Sequence, residues 1–278
     1  SQMAELGLLG GTAETEWGGC GLGPLDMAIV TEEVARADGS LALTVASHNG
    51  LCSNHIRLFG NEAQKERYLR PLAQGKKLGA WGLSEPGSGS DAAAMHTHAV
   101  RHGSQWSLDG SKIFITQGTV GEVFVIMAVT DRSKGKHGVT AFILEKGMPG
   151  FTQKPIKDKL GMRSSDTALL TFENVLVPNE NVIGEVGAGF IQTLKILDRG
   201  RITIAALAVG LGAGALEASE RYVLQRQQFG KPLGEFEAIQ WKLADMATEM
   251  DASRLLTYRA ALLCEQGKPF GVEAAMAK

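Results

Sequence analysis

The stretch Gly82-Leu83-Ser84-Glu85-Pro86-Gly87-Ser88-Gly89-Ser90-Asp91 constrains this chain more than any other. Glycine and proline at this density form neither a helix nor a central strand. The segment has to be a shaped loop that leaves backbone N–H groups and hydroxyls free. Such loops bind phosphates, carbonyls or the polar edge of a ring. A surface turn rich in Gly and Ser has the same composition.

The 278 residues are 44% hydrophobic and 21% charged, which suits a globular chain with a sizeable core and more than one domain. A net charge of -2 gives no electrostatic case for nucleic acid or an anionic membrane. No run approaches the ~18 apolar residues of a membrane span. Ser1-Gln2-Met3-Ala4-Glu5 does not read as a signal peptide, so the chain is not expected to be secreted. Cys20, Cys52 and Cys264 lie far apart without a CxxC, which predicts reduced structural thiols.

The texture predicts three parts: a helical domain over 1–78, an antiparallel β-barrel domain over 79–187 and an incomplete helix bundle over 188–278. Pro24 suits a first helical turn, Ser40 can cap a second helix that Gly60 ends, and Asn61 can cap a third. Trp106-Ser107-Leu108 and Ile113-Phe114-Ile115 flank Asp109-Gly110, a hairpin signal. Glu122 to Val129, Val139 to Leu144 and Ala168 to Val177 read as further strands, and short strands without intervening helices argue for a barrel or sandwich. The 3.6 period returns from Gly189 in two long helices broken at Pro232-Leu233-Gly234. The sequence stops at Lys278 as another alanine-rich helix begins, which predicts a truncated C-terminus.

Ile202 to Gly214 looks like a strand entering a glycine turn, but it carries GxGxG rather than GxGxxG and keeps helical spacing. Gly210 and Gly214 fall on one helical face, so close helix packing explains them. His96 and His98 alternate on one strand face without a convincing third ligand, so no metal site is predicted. His48 and His55 read as polar positions on a helix boundary. Phe114 and Thr116, two apart, are expected on one face, where an aromatic ring and a hydroxyl suit a flat heterocycle or simply a core edge. Arg199-Gly200-Arg201 reads as a charged helix head where a phosphate-bearing ligand could lie, or as an exposed N-terminal turn, and Arg226 to Lys231 as a turn between the long helices or an anion-binding corner.

Five motifs occur in order: Leu83 to Asp91, Lys112 to Thr116, Lys159 to Thr167, Leu197 to Arg201, and Arg226 to Gly230 before Phe236. Over essentially its full length the chain resembles the acyl-CoA dehydrogenase family, short-chain or butyryl types most of all. Members have a helical domain, a small β-barrel and a four-helix bundle. They use FAD to remove hydrogens from Cα and Cβ of an acyl-CoA, usually passing electrons to an electron-transferring flavoprotein, in fatty-acid β-oxidation and amino-acid catabolism. The resemblance implies that Trp81, Leu83, Ser84, Gly89, Ser90, Phe114, Ile115 and Thr116 contact FAD. It also implies that Ser90, Ser165, Asp198 and Arg201 contact the acyl-CoA. Arg226, Gln228, Phe229 and Glu237 would reach the FAD of a neighbouring subunit, implying a dimer or tetramer. A bacterial member is cytoplasmic and a eukaryotic one sits in the mitochondrial matrix.

Four departures stand out. Ser84 replaces a frequent Thr and Phe114 a frequent Trp, each keeping the hydroxyl or the ring. Gln117 replaces a usual Asn. Glu237 replaces a Gln, and an ionised acid would repel a diphosphate. The reaction also needs a carboxylate to take the α-proton. One branch places it at the position held here by Gly200, which cannot serve; the other places it beyond Lys278. The same frame supports acyl-CoA oxidases, nitroalkane oxidases and a homologue that binds flavin or CoA without catalysis.

Overall fold

The computed structural model describes residues 2–278. The chain divides into two compact units. One comprises the segment up to Leu22 with Thr44–Gly200; the other comprises Gly23–Leu43 with Arg201–Lys278.

Helix α1 spans Pro24–Ala37, with proline at its first position and Asp26 accepting from the Gly23 N–H at 3.2 Å. Helix α2 spans Gly39–Ser47, passes through a π-helical turn at His48–Ser53 and continues as α3, Asn54–Phe59. Its cap is Asp38, not Ser40. The Asp38 carboxylate accepts from the N–H groups of Ser40 and Leu41 at 2.7 and 3.1 Å, which puts Ser40 inside the first turn. Asn61 caps the next turn as expected, exchanging hydrogen bonds with Gln64.

The first unit carries one mixed sheet of eight strands: β1 (Gly79–Gly82), β2 (His98–His102), β3 (Gln105–Thr116), β4 (Val123–Val129), β5 (Val139–Glu145), β6 (Phe151–Pro155), β7 (Thr167–Pro178) and β8 (Val182–Ile183). Its order is β6-β7-β3-β2-β4-β5-β8, with β1 paired to β4. This is not the closed antiparallel barrel that the texture suggests. The path stays open because β8 offers only two residues and β6 ends at Pro155, which has no N–H. The pairings of β1 and β2 with β4 are parallel, since both strands enter from long connections rather than hairpins.

Asp109-Gly110 is no hairpin either. Strand β3 runs straight through it, with a bulge where the pairing to β7 shifts between Leu108 and Gly110. Gly110 has φ +139°, and a Cβ there would meet Thr97 Cα at 2.7 Å. Asp109 is committed across the sheet, accepting from the Asn174 N–H at 2.8 Å.

All seven residues of β4 are buried. Val123, Val125, Met127 and Val129 face the helical layer with Cys52, Ile56, Leu72 and Ile196. Phe124, Ile126 and Ala128 face the opposite layer with Phe142, Phe151 and Phe172. A strand covered on both sides reads as a continuous apolar run, as this one does.

His48 and His55 are fully buried rather than at a boundary. His48 Nδ1 accepts from the Gly79 N–H at 3.0 Å and its Nε2 lies 3.0 Å from the Leu9 carbonyl, so the ring joins two backbone segments. Burial pulls His48 down to about 4 and keeps it neutral.

Helix α4 spans Gly189–Gln225, so Arg199-Gly200-Arg201 lies within it and not at its head. By length and composition α4 could cross a membrane. Its glycines instead serve helix packing. A Cβ at Gly210 or Gly214 would overlap the carbonyls of Glu32 or Arg36 on α1, and no glycine turn exists there. The second unit also holds a short hairpin of β9 (Gln227–Gln228) and β10 (Lys231–Pro232), helix α5 (Glu237–Glu265) and helix α6 (Gly271–Ala277). The hairpin turn is Phe229-Gly230, both at positive φ. Glu32 accepts from Arg254 at 2.7 Å and from the Tyr258 hydroxyl at 2.8 Å, tying α1 to α5.

Candidate functional site

The glycine-rich loop leaves β1 and folds on itself. Glu85 and Ser88 exchange backbone hydrogen bonds at 2.9 and 3.1 Å, and the Ser88 hydroxyl donates to the Asp91 carbonyl at 2.6 Å. Gly87 and Gly89 stand exposed, with open space where a Cβ would be. The loop is anchored from below by two residues whose roles the sequence did not disclose. Lys112 Nζ donates to the Leu83 carbonyl at 3.0 Å and to Glu85 at 2.7 Å, and Glu85 also accepts from the N–H groups of His96 and Thr97. Burial opposes the Glu85 charge, but Lys112 and these donors hold its pKa below the ordinary value. Burial pulls Lys112 down to about 8, against the attraction of Glu85.

Beside the loop lies a cleft of about 170 Å³ lined by Ser47, Leu51, Trp81, Leu83, Ser84, Ile113, Phe114, Ile115, Thr116 and Leu197. Loop and strand are joined there by the Ile113 N–H donating to the Ser84 carbonyl at 2.8 Å. A second bulge in β3, between Lys112 and Ile115, breaks the alternation. Phe114 takes φ +59° and is 67% exposed. A bulky residue held in the left-handed region with its ring in solvent is a strained feature of the kind that collects at functional sites. Phe114 and Thr116 therefore share the cleft through a bulge, not through simple two-residue spacing.

Six of the expected residues, Trp81, Leu83, Ser84, Phe114, Ile115 and Thr116, line this cleft. Gly89 and Ser90 lie exposed on the loop outside its lining. Ser165 lines a separate depression with Lys157, Lys159, Arg163 and Asp166. Its hydroxyl is buried without a partner, while Lys159 is held by the carbonyls of Met162 and Ser165. Asp198 and Gly200 lie on α4 within the first unit. Arg201, Arg226, Gln228, Phe229 and Glu237 belong to the second, the last four of them exposed. His96 and His98 are exposed, and no cluster of metal ligands occurs among the described residues.

Sequence reasoning missed Ser47, Leu51 and Leu197, which line the cleft from the helices, and the buried pair His55 and Gln192 behind Trp81. A signal was present: Ser47, Leu51 and His55 step by four along one helical face.

The lining has the features that a flat ring with polar edges requires: an exposed aromatic ring, hydroxyls at Ser84 and Thr116, apolar side chains, and a loop whose glycines permit close approach. Comparison with known proteins matches the chain in three parts. The acyl-CoA dehydrogenase N-terminal domain matches residues 1–76, the middle domain residues 80–175 and the C-terminal domain residues 187–278. The chain belongs to the acyl-CoA dehydrogenase family. It is 46% identical to the short-chain specific acyl-CoA dehydrogenase of Megasphaera elsdenii over 281 residues, covering all of this chain and 73% of that relative. Among solved structures it is similar to a chain in that of the electron transferring flavoprotein of Acidaminococcus fermentans. The TM-score there is 0.97 and the identity 46%, over 99% of this chain and 73% of the other. It is also similar to PigA in its FAD complex, with TM-score 0.95 and 32% identity, over 99% of this chain and 73% of the other. The acyl-CoA dehydrogenase fold thus accounts for helices at both ends of the sequence and for an open mixed sheet in its middle.

Proposed function

We propose that this chain binds FAD and takes part in the α,β-dehydrogenation of a short acyl-CoA to the 2-enoyl-CoA, with electrons passing to an electron-transferring flavoprotein. One observation carries the reading. Ser84 and Phe114 to Thr116, the motifs implied to hold the flavin, converge on one cleft in a chain 46% identical to a short-chain enzyme. When bound, FAD supplies the acceptor for the hydride that leaves Cβ.

The protein's own part is positioning. Phe114 covers one side of the cleft with its ring, and its backbone takes the left-handed conformation at the bulge in β3. Ser84 and Thr116 provide hydroxyls for ring-edge heteroatoms, while Leu51, Leu83 and Leu197 exclude water. The Lys112–Glu85 pair holds the loop, so its free N–H groups meet the cofactor already ordered. Ser165, with a buried hydroxyl free to donate, and Asp198 and Arg201 are assigned to the acyl-CoA. The cleft lining includes no carboxylate, so the base that takes the α-proton comes from outside it; Gly200 offers no side chain for that role. The exposure of Arg226, Gln228 and Phe229 supports their assignment to the cofactor of a neighbouring subunit in a dimer or tetramer. Glu237 in the same region weakens that contact by repulsion. The compartment follows the source, bacterial cytoplasm or mitochondrial matrix.

The test is spectroscopic. The full-length protein is saturated with FAD without oxygen, butyryl-CoA is added and the visible flavin band is followed. Bleaching, with reoxidation faster by electron-transferring flavoprotein than by oxygen, is expected. Faster reoxidation by oxygen makes it an oxidase of the same frame. Binding of flavin or CoA without bleaching makes it a non-catalytic homologue. A protein that takes up no FAD overturns the reading.

A further inference from the structure

Behind the cleft wall a hydrogen-bonded chain runs into the core. The Trp81 Nε1–H donates to His55 Nδ1 at 3.0 Å. An indole nitrogen can only donate, so His55 Nδ1 must accept and the imidazole proton must sit on Nε2. His55 Nε2 lies 3.0 Å from Gln192 Oε1 and donates to it. Gln192 Nε2 donates in turn to the Ile183 carbonyl at 3.1 Å, which fixes the amide's orientation independently of the histidine. His55 is fully buried, Gln192 is 5% exposed and Trp81 is 7% exposed. The Phe59 ring meets the imidazole edge-on, with centroids 5.4 Å apart. Burial pulls His55 down to about 4, so the neutral form that this arrangement needs is the one present at physiological pH.

Trp81 lines the cleft, while His55 and Gln192 do not. The indole N–H is therefore spent on the far side of the wall, and the cleft meets only the ring's carbon skeleton. We propose that His55 is a positioning residue: by accepting the Trp81 N–H and donating to Gln192, it locks the indole as an apolar, non-donating wall of the cleft. The consequence for ligand binding rests on the assignment of this cleft to FAD. Without His55 the buried indole N–H has no partner. A buried donor left without an acceptor is unfavourable, which drives the ring to turn toward whatever acceptor the cleft contains.

A double-mutant cycle on the FAD-loaded protein tests this, reading FAD affinity by titration and the environment of the ring by the visible flavin spectrum. His55→Phe is expected to weaken FAD binding about tenfold and to shift the visible band, one hydrogen bond's worth of free energy. His55→Gln, which accepts and donates at similar reach, restores both. In a Trp81→Phe background, which keeps a ring but has no N–H, His55→Phe is expected to add no further loss. Equal losses in both backgrounds mean that His55 only supports the fold, and the proposal is overturned. A His55→Phe protein that matches the parent in affinity and spectrum overturns it as well. Nitrogen-15 NMR of the FAD-free parent reads the imidazole directly and does not depend on any variant folding. A proton on Nε2 is expected, and a proton on Nδ1 refutes the hydrogen-bond chain. A parent that binds no FAD refutes the cofactor assignment, and the effect on ligand binding falls with it; the imidazole spectrum still decides the tautomer.

Discussion

Lys112 and Glu85, 27 residues apart, meet beneath the loop at 2.7 Å with side-chain exposures of 0% and 4%. Removing one partner of a buried ion pair leaves the other uncompensated, at about 3–5 kcal/mol. Lys112→Met is therefore expected to destabilise the protein by about 3 kcal/mol, seen as a lower urea midpoint. The loop is expected to lose order with it, seen as faster proteolysis within 82–98. A midpoint within about 0.5 kcal/mol of the parent would show that the pair fixes nothing.

Stability is expected to fall in mild acid. His48 and His55 have folded values of about 4 against an ordinary value of 6.5, so below 6.5 the unfolded chain binds more protons. Their contribution is fully present above pH 6.5 and is lost as pH falls toward 4, by up to about 1.4 kcal/mol per pH unit for each ring. Denaturation midpoints measured from pH 7.5 to 4.5 check this, and His48→Gln should flatten the slope. An unchanged slope in that variant counts against the assignment.

Phe114 offers a test of strain against function. Glycine accepts φ +59° without penalty, so Phe114→Gly is expected to relieve about 1 kcal/mol of backbone strain while removing the cleft's exposed ring. The variant should keep or gain thermal stability and lose FAD affinity. Lower stability together with unchanged affinity would show that the conformation has no functional reason.

Gly210 and Gly214 let α4 approach α1. Gly210→Ala puts a methyl group into the Glu32 carbonyl, and the strain is expected to cost about 1–3 kcal/mol despite alanine's better helix propensity. The same change at Gly87, where a Cβ meets nothing, is expected to be mild. Urea midpoints for the two variants should differ in that order.

The helices were legible because their signals are local: Pro24, the Asn61–Gln64 reciprocal cap and the small-residue spacing of Gly210 and Gly214 act within one or two turns. The two bulges in β3 were not. Asp109-Gly110 has hairpin chemistry, and only the pairing of β3 with β7 and the proximity of Thr97 make it a bulge. The histidines were misplaced for the same reason, since their partners at Leu9, Gly79, Trp81 and Gln192 are distant in sequence. The cleft's strand and loop residues were named from motifs, but its helical residues were hidden because Leu51 and Leu197 look like any core leucine. Site residues fall outside sequence reasoning where long-range geometry gives an ordinary residue its role.

Strand β4 has a side that the folded protein conceals. Val123-Phe124-Val125-Ile126-Met127-Ala128-Val129 is flanked by β1 and β5 and covered on both faces, so it presents no edge to another molecule. Seven apolar residues, five of them Val, Ile or Phe, with no charge and no proline also form the kind of window that seeds intermolecular sheets. Its neighbour β1 is complete early in a chain made from its N-terminus, but β5 arrives only with residue 145. Until then β4 has an open side. The segment that the finished protein shields from intermolecular pairing is thus open to it during synthesis, in the interval between residues 129 and 145.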